Sequence, residues 1–244
     1  MTDYKAFRTA GVLAIVAPIL LNISFVLLGS SFDYPGVLDE PSARVLRDFH
    51  ADATTISLQF ALLALSAALI APLAICLGRC LGKSRLVRAS VYVGIGAAIV
   101  QVVGLLRWPI LVPGLADTAT DAANTVAQRA DAVDTFDTLG DVLGVAIGET
   151  LGYALTATWT VLVILALRDA HLVGRVMTIL GFGAAGLIAL GVLIPLDAPG
   201  ADVANFGGYI LWSLWLIALG VTLLRSSRIS NRLVTGSPLP ATSV

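Results

Sequence analysis

Residues 61–100 read ALLALSAALI APLAICLGRC LGKSRLVRAS VYVGIGAAIV, and this stretch decides the fold. It joins two apolar runs, 56–78 and 89–112, through a short connection that carries Arg79, Lys83, Arg85 and Arg88. Each run has at least the roughly 20 residues needed to cross about 30 Å of hydrocarbon at about 1.5 Å per residue. The pair therefore reads as a transmembrane hairpin with a basic turn. Four similar runs flank it, at 9–29, 142–167, 174–196 and 206–225.

The connections between the six runs differ in charge. Lys5 and Arg8 precede the first run, Arg168 and Arg175 lie between the fourth and fifth, and Arg225, Arg228 and Arg232 follow the sixth. The alternate connections are acidic: Asp33, Asp39, Glu40, Asp48 and Asp52, then Asp117, Asp121, Asp131, Asp134, Asp137 and Asp141, then Asp197 and Asp202. Basic flanks stay in the cytoplasm. The reading is an all-α, polytopic membrane protein: a six-transmembrane-helix bundle of three hairpins, both termini cytoplasmic. We expect one domain over 1–230 and a disordered cytoplasmic tail over 231–244.

Composition agrees. Of 244 residues, 57% are hydrophobic and only 13% charged, against about 25% charged in soluble domains; mean hydropathy is +0.91. Nucleic-acid binding has no support, because the basic residues are those that topology already requires. The N-terminal run is too long for a signal-peptide core of about 7–15 residues and no A-x-A site follows it, so it reads as an uncleaved span. Cys76 and Cys80 share a helix face at i, i+4. With His171 they make three candidate metal ligands and no second pair, so the favoured reading is small apolar residues kept reduced in the cytosol. No cofactor is expected.

Three further patterns shape the expectation. All three outer connections carry a Pro-Gly pair, and F-D-Y-P-G at 32–36 resembles L-D-A-P-G at 196–200; Pro-Gly is also simply a common turn. The first two outer connections predict short amphipathic helices, with Val45, Leu46 and Phe49 on one face of the first and Val126, Ala130, Val133 and Phe136 on one face of the second. The fourth run carries small residues at every fourth position, Gly140, Gly144, Gly148, Gly152, Thr156 and Thr160, which permits close helix approach within the chain or in a homodimer through Gly144, Gly148 and Gly152.

Two ionisable residues interrupt the apolar runs, Arg107 and Glu149. A charge at the bilayer centre costs at least about 2.5–3.5 kcal/mol, so such residues face protein or water and default to functional hypotheses. At about 1.5 Å per residue both lie in the outer third of their spans, and adjacent third and fourth helices would let them meet. Glu149, Tyr153, Thr156 and Thr160 form one stripe at i, i+4, i+7 and i+11. Gln101, Gln59 and Asn22 add amides, and Trp108, Trp212 and Trp215 add indoles. Glu149 and Arg107 are thus the candidate catalytic pair. Gln101, Trp108, Tyr153, Thr156, Gln59, Asn22 and Trp212 are the candidate ligand-binding residues. A buried ion pair that only fixes packing is the competing reading.

The stretches 32–41 (FDYPGVLDEP), 101–116 (QVVGLLRWPILVPGLA) and 148–153 (GETLGY) resemble a family of uncharacterised six-span bacterial membrane proteins, mainly actinobacterial, catalogued as a domain of unknown function. The resemblance covers about residues 8 to 225 and is most specific at R-W-P and G-E-x-x-G. It implies the six-helix fold, singles out Gln101, Arg107, Trp108, Pro109, Pro113 and Glu149, and supplies no activity.

Three functions remain open on the sequence. A membrane enzyme on an isoprenoid- or lipid-like substrate would use Glu149 as acid or base and Arg107 for an anionic group. A small carrier or permease would gate or couple protons through the same pair. A non-catalytic partner or sensor would use the acidic outer loops. The first two share a hydrophobic small-molecule ligand, and all three share the lipid bilayer as partner.

Overall fold

The computed structural model describes residues 4–235. Among these, six helical segments are long and apolar enough to cross a membrane: Tyr4–Phe32, Ala53–Leu81, Arg85–Thr120, Val126–Asp169, Arg175–Leu196 and Ala201–Ser226. The protein is an all-α, multi-pass membrane protein, and each expected run falls inside one of these segments, except that the fifth starts one residue early, at Gly174.

Prolines divide several spans. The first is one helix, α1 (Tyr4–Phe32). After a 3₁₀ turn at Gly36–Asp39 comes α2 (Ser42–Ala51). The second span is two helices, α3 (Ala53–Ala68) and α4 (Ile70–Leu81). Pro72 has no N–H to offer the Ala68 carbonyl, and the break lies at Leu69. The third span is α5 (Arg85–Ile110), started by the Ser84 hydroxyl, which accepts from the Val87 N–H at 3.2 Å. Pro113 cannot bond back to the Pro109 carbonyl, so the chain turns at Leu111 into α6 (Val112–Thr120).

The fourth span differs most from expectation. A Thr125–Gln128 capping box opens α7 (Val126–Leu139). No breaker follows, and the helix continues through a 12-residue π-helical stretch, Gly140–Leu151, into α8 (Gly152–Asp169). The second outer helix is therefore an extension of the span. Its buried face is Ala132 and Phe136, with Val133 half-buried; Val126 and Ala130 are exposed, contrary to the expected face. The fifth span is α9 (Arg175–Leu190), finished by a 3₁₀ turn over Gly191–Leu196 that contains Pro195. The sixth is α10 (Ala201–Thr235), so the tail expected from 231 begins inside a helix; residues 236–244 lie outside the described residues.

Each span packs on its neighbours in sequence, and α10 closes the ring against α1. With six spans, the start of α1 and the end of α10 share one end with Arg79, Lys83, Arg85, Arg88, Arg168 and Arg175. The acidic connections share the other end. Asp33 and Asp197 stop the first and fifth spans in the same way, each in the left-handed conformation with φ 53°, which a short polar side chain tolerates. The two similar D-x-P-G stretches thus have equivalent structural jobs.

Two apolar cores result. One fills the bundle around Trp159, Trp212 and Trp215. The other lies at the acidic end, where α2, α6 and α7 form a roof. Val45, Leu46 and Phe49 of α2 are buried there as expected. Ser42 donates to Asp137 and His50 meets Asp117 at 3.1 Å, tying α2 to α7 and α6.

Candidate functional site

The crossing of α5 and the π-helical stretch positions the polar residues. A Cβ placed on Gly104 would stand 2.6 Å from the Gly148 Cα and 2.8 Å from the Leu143 carbonyl oxygen. Only glycine permits that approach. The ridge Gly144, Gly148 and Gly152 faces α5 all along it: Gly144 meets Arg107, Gly148 meets Gly104, and Gly152 meets Gln101. The surface expected to serve a homodimer is consequently occupied by the chain's own third span.

Arg107 lies flat on Gly144, where a Cβ would come within 2.5 Å of Nη1. Its Nη1 donates to the Gly104 carbonyl at 3.1 Å, and its guanidinium carbon sits 5.4 Å from the centre of the Trp108 ring. Glu149 is on the adjacent strand of helix, as expected from the hairpin. Yet the two do not touch: among the described residues the ion pairs are Arg44 with Glu40 and Asp48, and His50 with Asp117. The carboxylate of half-buried Glu149 likewise has no hydrogen-bond partner among them. Arg107, Tyr34, Tyr153 and Tyr209 all lie within its electrostatic reach.

Below Glu149 the expected stripe holds. Gln101 Nε2 donates to Thr156 Oγ1 at 2.6 Å. The Tyr209 phenol faces the same hydroxyl. Tyr153 packs edge-on against Tyr209 with centroids 5.9 Å apart, and Tyr209 against Trp212 at the same distance. Trp212 Nε1 donates to Thr160 Oγ1 at 2.9 Å. Gln101, Arg107, Glu149, Tyr153 and Thr156 therefore form one cluster.

Of the other candidates, Trp108 and Trp212 border the cluster from the two apolar cores, and Gln59 and Asn22 bond elsewhere. Trp108 is 1% exposed, stacked on Phe60 at 4.6 Å and edged by Phe32 and Phe136; it is the centre of the roof core. Trp212 is buried in the bundle core, and only its N–H reaches the stripe. Gln59 accepts from Ser31, joining the first and second spans. Asn22 donates to Ser213 and the Pro18 carbonyl, joining the first and sixth. Cys76, Cys80 and His171 are not gathered: among the described residues no three His, Cys, Asp or Glu side chains converge as metal ligands.

Tyr34, Asn205 and Tyr209 were missed. Asn205 bonds the Ile188 carbonyl at 2.9 Å beside Tyr153 and fixes the start of α10. Asn205, Tyr209 and Trp212 recur at i, i+4 and i+7, a signal that could have been read. Tyr34 had none, since its place depends on the left-handed turn at Asp33. Burial pushes its phenol up to about 12; Glu149 adds to the rise and Arg107 opposes it.

With this geometry in view, comparison with known families is decisive. Residues 9–225 match a domain of unknown function, DUF4386. The chain belongs to that family. No curated protein and no solved structure matches it significantly. The DUF4386 segment takes in the six spans, short of the chain-terminal ends of the first and last, and the whole cluster lies within it.

Proposed function

We propose that the Arg107–Glu149 cluster handles a hydrophobic small molecule, and that the protein is a membrane-embedded enzyme on an isoprenoid- or lipid-like substrate. It would lie in the bacterial plasma membrane with its termini cytoplasmic, following the charge asymmetry. The observation that carries the reading is the state of Glu149. It is the one acidic residue in the apolar runs, and it has no hydrogen bond or ion pair among the described residues. A structural ion pair would be closed; this carboxyl has capacity to spare.

Arg107 has similar reserve. Its one hydrogen bond among the described residues, to Gly104, uses one of five N–H donors. Glu149 would exchange a proton with the substrate, while Arg107 binds an anionic group or developing negative charge. Tyr34, Tyr153 and Tyr209 supply aromatic walls and hydroxyls. A carrier is the second reading, favoured by the hydroxyl stripe that continues from Tyr153 through Thr156 to Thr160 toward the bundle centre.

Native mass spectrometry of the purified protein, with bound lipids retained, tests the proposal beside Glu149→Gln and Arg107→Ala. The expected result is a specific copurifying molecule that either substitution removes. Identical spectra from all three proteins, with only reduced heat stability in the variants, would make the cluster structural and overturn the reading.

A further inference from the structure

At the opposite end of the bundle, where the fourth span hands over to the fifth, α8 and α9 border a groove of about 1100 Å³. Its lining combines two arginines, a histidine and an apolar wall. Arg168 and Leu165 are one turn apart on α8, at i and i−3. Arg175, Ile179 and Phe182 follow each other on α9 at i, i+4 and i+7, which places them on one face. On both walls the arginine is at the rim and the apolar residues lie deeper along the span. Leu165, Ile179 and Phe182 are all exposed, as residues that face hydrocarbon would be. Neither arginine has a hydrogen bond or ion pair with any described residue, although Asp169 is also on the rim. His171, between them, adds ring nitrogens to the same opening.

We propose that this groove is a binding site for an anionic phospholipid. The lipid phosphate sits between Arg168 and Arg175, where the planar guanidinium groups can each donate two parallel bonds. One acyl chain runs along Leu165, Ile179 and Phe182. The amphipathic order of the lining selects a lipid over a free anion: an inorganic phosphate would use the rim and leave the apolar wall without a partner. Basic rims beside apolar walls at this level of a bilayer match the chemistry of acidic headgroups.

The test uses the full chain in detergent and native mass spectrometry, with phosphatidylglycerol, phosphatidylcholine and inorganic phosphate as separate probes. Arg168→Gln/Arg175→Gln is compared with a charge-matched control at the other basic connection, Arg79→Gln/Arg88→Gln. Each arginine near an acidic headgroup is worth about a factor of five in affinity, so the first variant should bind phosphatidylglycerol about thirtyfold more weakly. The control should change by less than about threefold. Leu165→Ser/Ile179→Ser, which spares the charges, should also weaken the lipid. All the altered side chains are exposed, so melting temperatures should stay near that of the parent.

Equal retention of phosphatidylglycerol and phosphatidylcholine would overturn the proposal. So would equal losses in the two arginine variants, which would mean a diffuse charge effect. Displacement of the lipid by inorganic phosphate at equal concentration, with no effect of the apolar substitutions, would mark a free-anion site instead.

Discussion

Gly104→Ala isolates the contact on which the polar cluster depends. The added methyl would stand 2.6 Å from the Gly148 Cα and 2.8 Å from the Leu143 carbonyl oxygen. Carbon atoms pack at about 3.5–4.0 Å, so α5 and the π-helical stretch must part by about 1 Å. Both obstacles are backbone, and no rotamer change relieves them. Overpacking of this kind costs about 1–3 kcal/mol, here toward the upper end. Parting the helices also strains the Gln101–Thr156 hydrogen bond one turn away, worth about 1 kcal/mol. Alanine returns up to about 1 kcal/mol through its better helix propensity. The net loss is about 2 kcal/mol, or a melting temperature lower by about 4–8 °C for a chain of this size. Thermal unfolding in detergent, followed by tryptophan fluorescence, measures it. Gly186→Ala is the matched control. It is also in a span, but its new methyl meets nothing within 4 Å, so it should melt at or slightly above the parent temperature. A Gly104→Ala protein that melts with the parent or above it would refute the close-approach argument.

Gly144→Ala should act differently, because the atoms nearest its methyl are the flexible end of Arg107 and not backbone. We expect a stability loss under about 1 kcal/mol but loss of the copurifying molecule as in Arg107→Ala, both read from the same native spectra. Trp108→Ala should lower the melting temperature by about 6–20 °C, a large aromatic core deletion of about 3–5 kcal/mol, while a protein kept below its own melting temperature retains its ligand. Loss of ligand in that folded variant would return Trp108 to the site. The Tyr34 phenol gives a pH dependence. Its pKa is raised from 10.0 to about 12 in the folded protein, so its contribution is complete below pH 10 and is lost as pH rises toward 12. Melting temperature measured from pH 9 to 12 should fall less steeply in Tyr34→Phe than in the parent; parallel curves would contradict the buried phenol.

The spans were legible because the bilayer asks a simple question of a sequence, namely length and hydrophobicity, and each run answers it. The face of α2 was legible for a similar reason: Val45, Leu46 and Phe49 alternate with charges and have one apolar surface to meet. Contacts between spans were less so. Glu149, Tyr153, Thr156 and Thr160 could be aligned by period alone, but their partners on α10 required knowing that the ring closes in sequence order. Arg107 and Glu149 were read as a pair because their depths agree. Depth fixes height along the bundle and says nothing about rotation, and the arginine turned instead onto Gly144 and the Gly104 carbonyl. The divided second span was available in Pro72 and went unread because an apolar run looks the same whether its helix is broken or not.

The π-helical stretch was beyond pattern reading, and it carries Glu149 of the proposed site. Gly140 and Leu151, its first and last residues, have ordinary right-handed helical backbone, and no residue type announces the change from i−4 to i−5 bonding; the Gly152 N–H, for instance, reaches back to the Ile147 carbonyl. What distinguishes the segment is a poor hold on the α form. Gly140, Gly144, Gly148 and Gly152 each give up about 1 kcal/mol of helix propensity relative to alanine, while Gly104 and Gly148 let a neighbouring backbone press against the loosened turns. Stretches of this kind cluster at functional sites because they aim side chains that a regular helix would point elsewhere. Here the side chain is Glu149, at the third-last position of the stretch, and Arg107 rests on a glycine of the same stretch. The glycines that resemble a dimer ridge in the sequence are therefore where α5 packs against this stretch: Gly144 takes the Arg107 guanidinium and Gly148 takes Gly104.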